Sequence, residues 1–100
     1  MMEVSPGRAW PEGPRFPLGR TLATRGVVTE VKMEAVYEAM ALHERGDWGE
    51  VPPEDKALND QAVEDGGRVL SMWRDEHGTK FYVITEADRS VTTALLPSEY

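Results

Sequence analysis

Arg68–Leu96 reads RVLSMWRDEHGTKFYVITEADRSVTTALL. Three runs within it, Arg68–Arg74, Lys80–Glu86 and Val91–Leu96, are rich in β-branched and aromatic residues, which suit a half-buried pleated surface. Asp75-Glu76-His77-Gly78 and Ala87-Asp88-Arg89-Ser90 separate them. Short loops of Gly, Asp and Ser join antiparallel neighbours, so the expectation is a three-stranded antiparallel β-meander. Alternation places Leu70 and Met72 on one face, and Phe81 with Val83 or Tyr82 with Ile84 on another. It leaves open which pair turns inward.

The residues before the meander change period. Met33, Val36, Tyr37, Met40 and Ala41 recur at spacings of three and four, one apolar stripe of a helix over 30–45. Thr29 is its expected N-cap, and Gly46 its expected C′ residue. Pro52-Pro53 followed by Glu54-Asp55 opens a second helix, since proline and acids both suit a first turn. Leu58 and Ala62 stand at i and i+4, with Ala57 and Val63 beside them, and Gly66-Gly67 closes a weakly amphipathic helix over 53–65. Thr21–Val28 (TLATRGVV) fits neither period. Two helices on one face of the meander bury a single core, so the fold class is an α+β two-layer sandwich over 21–100.

Residues 1–20 read differently. Pro6, Pro11, Pro14 and Pro17, with Gly7 and Gly13 between them, fix φ and remove backbone donors. This stretch is expected as a flexible proline-rich arm, with Phe16 packed on the body and Trp10 loose.

The 100 residues hold 18 acids, 11 bases and no cysteine, a net charge of −7. The missing thiols exclude disulfides, cysteine-ligated metals and thiol nucleophiles. No apolar run approaches a membrane span, and the prolines and arginines of the first twenty residues do not make a signal peptide. A cytoplasmic protein is expected. The charge is concentrated: residues 30–65 carry eleven acids against Lys32, Arg45 and Lys56, whereas residues 1–25 carry four arginines against Glu3 and Glu12. The acidic balance argues against direct nucleic-acid binding, which needs clustered Lys and Arg.

Catalytic signatures are thin. His43 and His77 are the only histidines, and neither has a second ligand at a metal spacing; Asp47 stands where the zinc-protease helix motif needs its second His. Ser71, Thr85, Ser90, Thr92 and Thr93 lie in or beside strands, without a nucleophile elbow or a phosphate-binding glycine loop. No cofactor, metal or catalytic residue is assigned. Two loops stand out as candidate partner-binding sites. Gly46-Asp47-Trp48-Gly49 sets a large aromatic between glycines, and Glu86, Asp88 and Arg89 occupy the second hairpin tip. Trp and Arg are frequent interface anchors, although Trp48 also suits the edge of a core and Asp88 an Asx turn.

Gly46–Gly49, Asp55–Asn59 (DKALN), Gly67–Ser71 (GRVLS), Gly78–Lys80, Val83–Thr93 (VITEADRSVTT) and Leu95–Tyr100 together resemble a small bacterial family of plasmid, integrative-element and phage proteins with no assigned activity. The resemblance covers a little over half of the chain. It implies an accessory role in a mobile element and supplies no site residues. The expected function is non-enzymatic docking on a partner protein. The alternatives are an acidic, DNA-mimicking inhibitor of a host defence nuclease (restriction or CRISPR) and a small hydrolase-like enzyme. Edge pairing through the strand at 91–96 is a route to a homodimer.

Overall fold

The computed structural model describes residues 1–4 and 13–100. Its elements in chain order are β1 (Met2–Glu3), β2 (Arg20–Ala23), α1 (Arg25–Glu30), α2 (Met33–Glu44), α3 (Pro53–Asp65), β3 (Val69–Arg74), β4 (Lys80–Thr85) and β5 (Val91–Leu95), followed by a 3₁₀ turn at Pro97–Glu99. None of these helices is long and apolar enough to cross a membrane.

The class is α+β, and the antiparallel β3-β4-β5 meander is present. The sheet is larger than a meander, however. Five strands run in the order β1-β2-β5-β4-β3, with β2 parallel to β5 and every other pair antiparallel. β5 is thus an interior strand, and the dimer edge expected at 91–96 is already occupied by β2. β2 escaped the sequence reading because four residues are too few to display alternation.

The helical layer also has one more member than expected. Thr24 follows β2 directly and caps α1, its Oγ1 accepting from the Val27 N–H at 3.3 Å, so the ambiguous Thr21–Val28 is half strand and half helix. The helix expected over 30–45 starts at Met33, and Thr29 lies inside α1 instead of capping α2. The break between them falls at Val31, which is extended (φ −111°, ψ 140°) and buries its side chain. The N-cap of α2, Lys32, offers no side-chain cap. Asp75 replaces it from across the fold, its Oδ2 accepting from Lys32 N–H at 3.2 Å. α3 matches the expected 53–65, with Pro53 in its first turn and Gly66 left-handed at its end (φ 82°).

Register answers the question alternation left open. Val69, Ser71 and Trp73 pair with Thr85, Val83 and Phe81, and all six lie on the face that α2 covers through His43. Val27, Val36, Met40, Val69, Phe81, Val83 and Ala94 are fully buried there. On the opposite face Tyr82 meets Tyr100 edge to face at 5.8 Å, with Arg68 over the Tyr100 ring.

Of the expected arm, residues 1–4 and 13–20 lie on the body. Val4, Phe16 and Leu18 are core residues, Thr21 Oγ1 donates to the Val4 carbonyl, and Arg15 N–H donates to Glu44 O at 2.8 Å. Phe16 packs as expected; Trp10 lies outside the described residues. The buried side chains of Val4, Phe16 and Leu18 tie this segment to the body, Phe16 by packing on His43 and Trp48.

Candidate functional site

The structure brings a serine, a histidine and two threonines together in the core. His43, on α2, lies between β3 and β4 with Nδ1 2.6 Å from Ser71 Oγ and Nε2 2.9 Å from Thr85 Oγ1. Thr85 Oγ1 is 2.6 Å from Thr92 Oγ1, which donates to the Leu18 carbonyl at 2.7 Å. At the other end Trp73 Nε1–H donates to Ser71 Oγ at 2.6 Å.

The ends of this chain fix every proton in it. A hydroxyl has one hydrogen. Thr92 gives its hydrogen to Leu18, so Thr85 must donate to Thr92, and His43 Nε2–H must donate to Thr85. Burial, with the nearby Arg89 charge, lowers the His43 pKa to about 3. The ring is therefore neutral, and its bare Nδ1 accepts from Ser71 Oγ–H. All hydrogen bonds point from Trp73 to Leu18, and no buried side-chain polar atom among the described residues is left unpartnered.

A hydroxyl donating to an imidazole is half of a nucleophilic site. The other half is missing. His43 Nε2 leans on a threonine where a triad has a carboxylate, and Ser71, His43, Thr85 and Thr92 are all fully buried. Phe16 and Trp48 pack edge-on against the imidazole at 5.5 and 5.4 Å. This cluster specifies packing: it gives α2, β3, β4, β5 and the segment at Leu18 one mutual register. Among the described residues no group of three His, Asp or Glu is placed to hold a metal ion.

The residues singled out from the sequence are held mainly by the fold itself. Trp48 is 3% exposed, stacks on Phe16 at 6.0 Å, and donates its indole N–H to Asp60 Oδ1 at 2.9 Å. That bond, with a second from Arg15, holds the Asp60 carboxyl below the usual carboxylate range. Asp47 Oδ1 accepts from Gly49 N–H at 3.0 Å. Gly49 is left-handed (φ 66°), and a side chain there would strike the Met72 carbonyl; the glycine lets Trp48–Glu50 run against β3. Asp88 forms the Asx turn, accepting from both Ser90 N–H and Ser90 Oγ–H, which lowers its pKa. Arg89 does not pair with Asp88. Its guanidinium crosses to α3, donating to Gly67 O at 2.6 Å and Ala62 O at 3.0 Å, and lies 5.3 Å over the Phe16 ring. Glu86 pairs with Arg68 at 3.6 Å on the surface.

A groove of about 660 Å³ opens elsewhere, between α2 and the β3–β4 hairpin. Trp73, Ala35, Ala39 and Leu42 line it, with Glu34 and Glu38 from α2, Asp75 and Glu76 from the hairpin, and the bases Lys32 and Arg74. It exceeds the hollow of about 430 Å³ beside Trp48. Asp75 ties the hairpin to the start of α2. Burial pushes its carboxyl up, but backbone N–H donors from Thr79, Lys32 and His77 prevail and keep its pKa below the usual range. Sequence reading passed over Trp73 because it sits inside a strand, where an aromatic ordinarily reads as core. The signal was there in part: Ala35 and Ala39 put two small residues on the helix face opposite it. Compared with protein-family models, with curated proteins and with solved structures, the chain matches none.

Proposed function

We propose that this chain is a non-enzymatic binding protein that docks on a partner protein through the α2/β3–β4 groove, in keeping with the accessory mobile-element role that the GDWG and ITEADRS resemblance implies. The observation that carries this reading is a separation. The Ser71–His43 pair, the one arrangement with catalytic character among the described residues, is sealed in the core, while the roomier concavity is lined by an aromatic, two alanines, a leucine, four acids and two bases. Trp73 supplies the rigid, half-buried surface that anchors interfaces.

The test is affinity capture with wild-type protein and with Ala35→Leu, which fills the groove, after circular dichroism has shown that the variant is folded. A partner retained by the wild type and lost by Ala35→Leu supports the reading. A partner that binds both equally rejects the groove.

A second reading, the DNA-mimicking inhibitor, rests on α3. Glu54, Asp55, Glu64 and Asp65 are exposed there and ion-pair with no other described residue. Neutralising these four with Gln and Asn would abolish capture if that reading holds and leave it intact if the groove is the site. Capture by a mimic would also fall steeply with salt, because exposed charges are screened beyond a Debye length of ~8 Å at physiological ionic strength.

A further inference from the structure

We infer that the α2/β3–β4 groove receives an arginine side chain of the partner protein, laid against the Trp73 indole and held by the carboxylates of Glu34 and Glu38. This deepens the docking reading and rests on it.

The argument begins with helix spacing. Glu34 and Glu38 are four residues apart on α2, so their side chains stand on one face with Cβ atoms about 5–6 Å apart. Ala35, Ala39 and Leu42 form the adjacent row. The two alanines reach no further than a methyl group, and the space opposite Trp73 exists because of them. Depth comes from Ala35 and Ala39, and charge from the glutamates beside them.

The charge is uncompensated. Lys32 is paired with Glu76 at 3.5 Å and Arg74 with Glu50 at 3.0 Å. Glu34 and Glu38 have no ion pair or hydrogen bond with any described residue. Two free carboxylates therefore face a groove whose bases are already engaged, and an anionic occupant such as a nucleic-acid backbone is repelled.

Trp73 narrows the choice to a flat cation. Its indole N–H is committed to Ser71 inside the core, so toward the groove the ring offers a π surface and no polar handle. Cations are attracted to that surface, and tryptophan binds them best. A guanidinium is planar, sheds water more readily than an ammonium, stacks on aromatics and carries enough donors for two carboxylates at once. A lysine would meet the charge but neither the shape nor the second carboxylate.

The test uses the full chain labelled with nitrogen-15 and three capped pentapeptides, Gly-Ala-X-Ala-Gly, in which X is arginine, citrulline or lysine. The arginine peptide is expected to shift the Trp73 indole resonance and the Glu34–Ala39 amides while the buried Trp48 indole stays still. Citrulline, a neutral isostere, should produce no shift. Lysine should bind several-fold more weakly. Glu34→Gln with Glu38→Gln, both at exposed positions, should weaken arginine binding about tenfold or more while leaving the melting temperature unchanged. Equal responses to arginine and citrulline, shifts centred on α3, or an undiminished response in the double variant would each overturn the inference; equal responses to arginine and lysine would overturn the choice of arginine. If the titration fails while Ala35→Leu still loses a captured partner, the docking reading survives and this occupant does not. If nothing is captured at all, the reading itself falls.

Discussion

Asn59 makes with Leu70 the two hydrogen bonds that a neighbouring strand would make. Its Nδ2 donates to the Leu70 carbonyl at 2.8 Å, and its Oδ1 accepts from the Leu70 N–H at 3.2 Å. Leu70 lies on β3, the outermost strand on that side of the sheet. The next outward-facing backbone pair, at Met72, is taken by Trp48 O at 3.2 Å and Glu50 N at 2.8 Å. A single side chain and a three-residue segment therefore close an edge that would otherwise invite another chain. Asn59→Ala is expected to destabilise the protein by roughly 1–3 kcal/mol, the usual result of leaving partly buried backbone groups unpaired. The same variant should associate as concentration rises, by pairing of the freed edge. Urea unfolding and size-exclusion chromatography over a hundredfold concentration range read the two effects. A monomer of unchanged stability would show that the amide closes nothing.

The relay through His43 makes a prediction about acid. The ring has a pKa of about 3 when folded and about 6.5 when unfolded. Below 6.5 the unfolded chain takes up a proton that the folded chain refuses, so stability falls as pH drops from about 6.5 toward 3, by up to about 1.4 kcal/mol per pH unit. It is fully present above 6.5. Asp60, Asp75, Asp88 and Glu99, whose folded pKa values are lowered, lose their contributions only near and below the ordinary carboxylate range. Glu44, pushed up by burial, acts with the opposite sign and from the ordinary carboxylate range upward: its folded form holds the proton more tightly, so it stabilises as pH falls and loses that contribution as pH rises. The loss of stability between pH 6.5 and 5 thus belongs to His43, with Glu44 offsetting part of it at the acid end. His43→Gln should be less stable than wild type at pH 7.5 yet show a flatter profile across that interval, measured by urea unfolding at half-unit steps. An equally steep profile in the variant would mean that another group supplies the proton.

Much of this was legible in the chain, and the parts that were not share a cause. α3 and the meander declare themselves through periodicity longer than one turn or one hairpin and through punctuation at Pro53, Gly66 and Gly78. β2 and α1 are four and six residues long, too short to carry a period, and are stabilised by contacts far off in sequence: β2 by β5, and α1 by Glu99, whose carboxylate accepts from Thr24 Oγ1 and Gly26 N–H. Val31 breaks the helix because the core takes its side chain, which no local preference reveals. Asn59 left a trace, being a poor helix former set mid-helix, and its reason lies across the fold on β3. The same holds for Arg89. A charged residue at a hairpin tip reads as exposed, and only the structure puts Ala62 and Gly67 within its reach.

Arg89 supports a prediction with two parts. Its guanidinium binds carbonyls at the end of α3, and its backbone is left-handed (φ 62°), a conformation that costs a residue with a Cβ about 1 kcal/mol. Arg89→Ala loses the hydrogen bonds and keeps the strain, so it should destabilise by ~2 kcal/mol or more. Arg89→Gly loses the same bonds but relieves the strain, and should be more stable than Arg89→Ala by about 1 kcal/mol. Amide exchange should quicken at Gly66 and Gly67 in both. If the two variants are equally stable, the turn accommodates a side chain without strain; if neither differs from wild type, the helix end does not depend on the guanidinium.

Trp48 is where the docking expectation and the packing can be separated. Trp48→Ala removes a ring stacked on Phe16 and packed on His43, which should destabilise by ~3–5 kcal/mol. Loss of a partner in that variant would say little, because an unfolded chain binds nothing. Trp48→Phe keeps an aromatic ring in the stack and removes the indole N–H from Asp60. It should fold with a loss of about 1 kcal/mol, and the Asp60 carboxyl, followed by carbon-13 NMR, should titrate closer to the ordinary range, with Arg15 still holding it partly down. Capture of a partner should be unaffected, since a side chain 3% exposed has almost no surface to share. A folded Trp48→Phe that no longer captures its partner would move the docking surface from the α2 groove to the Gly46–Gly49 loop.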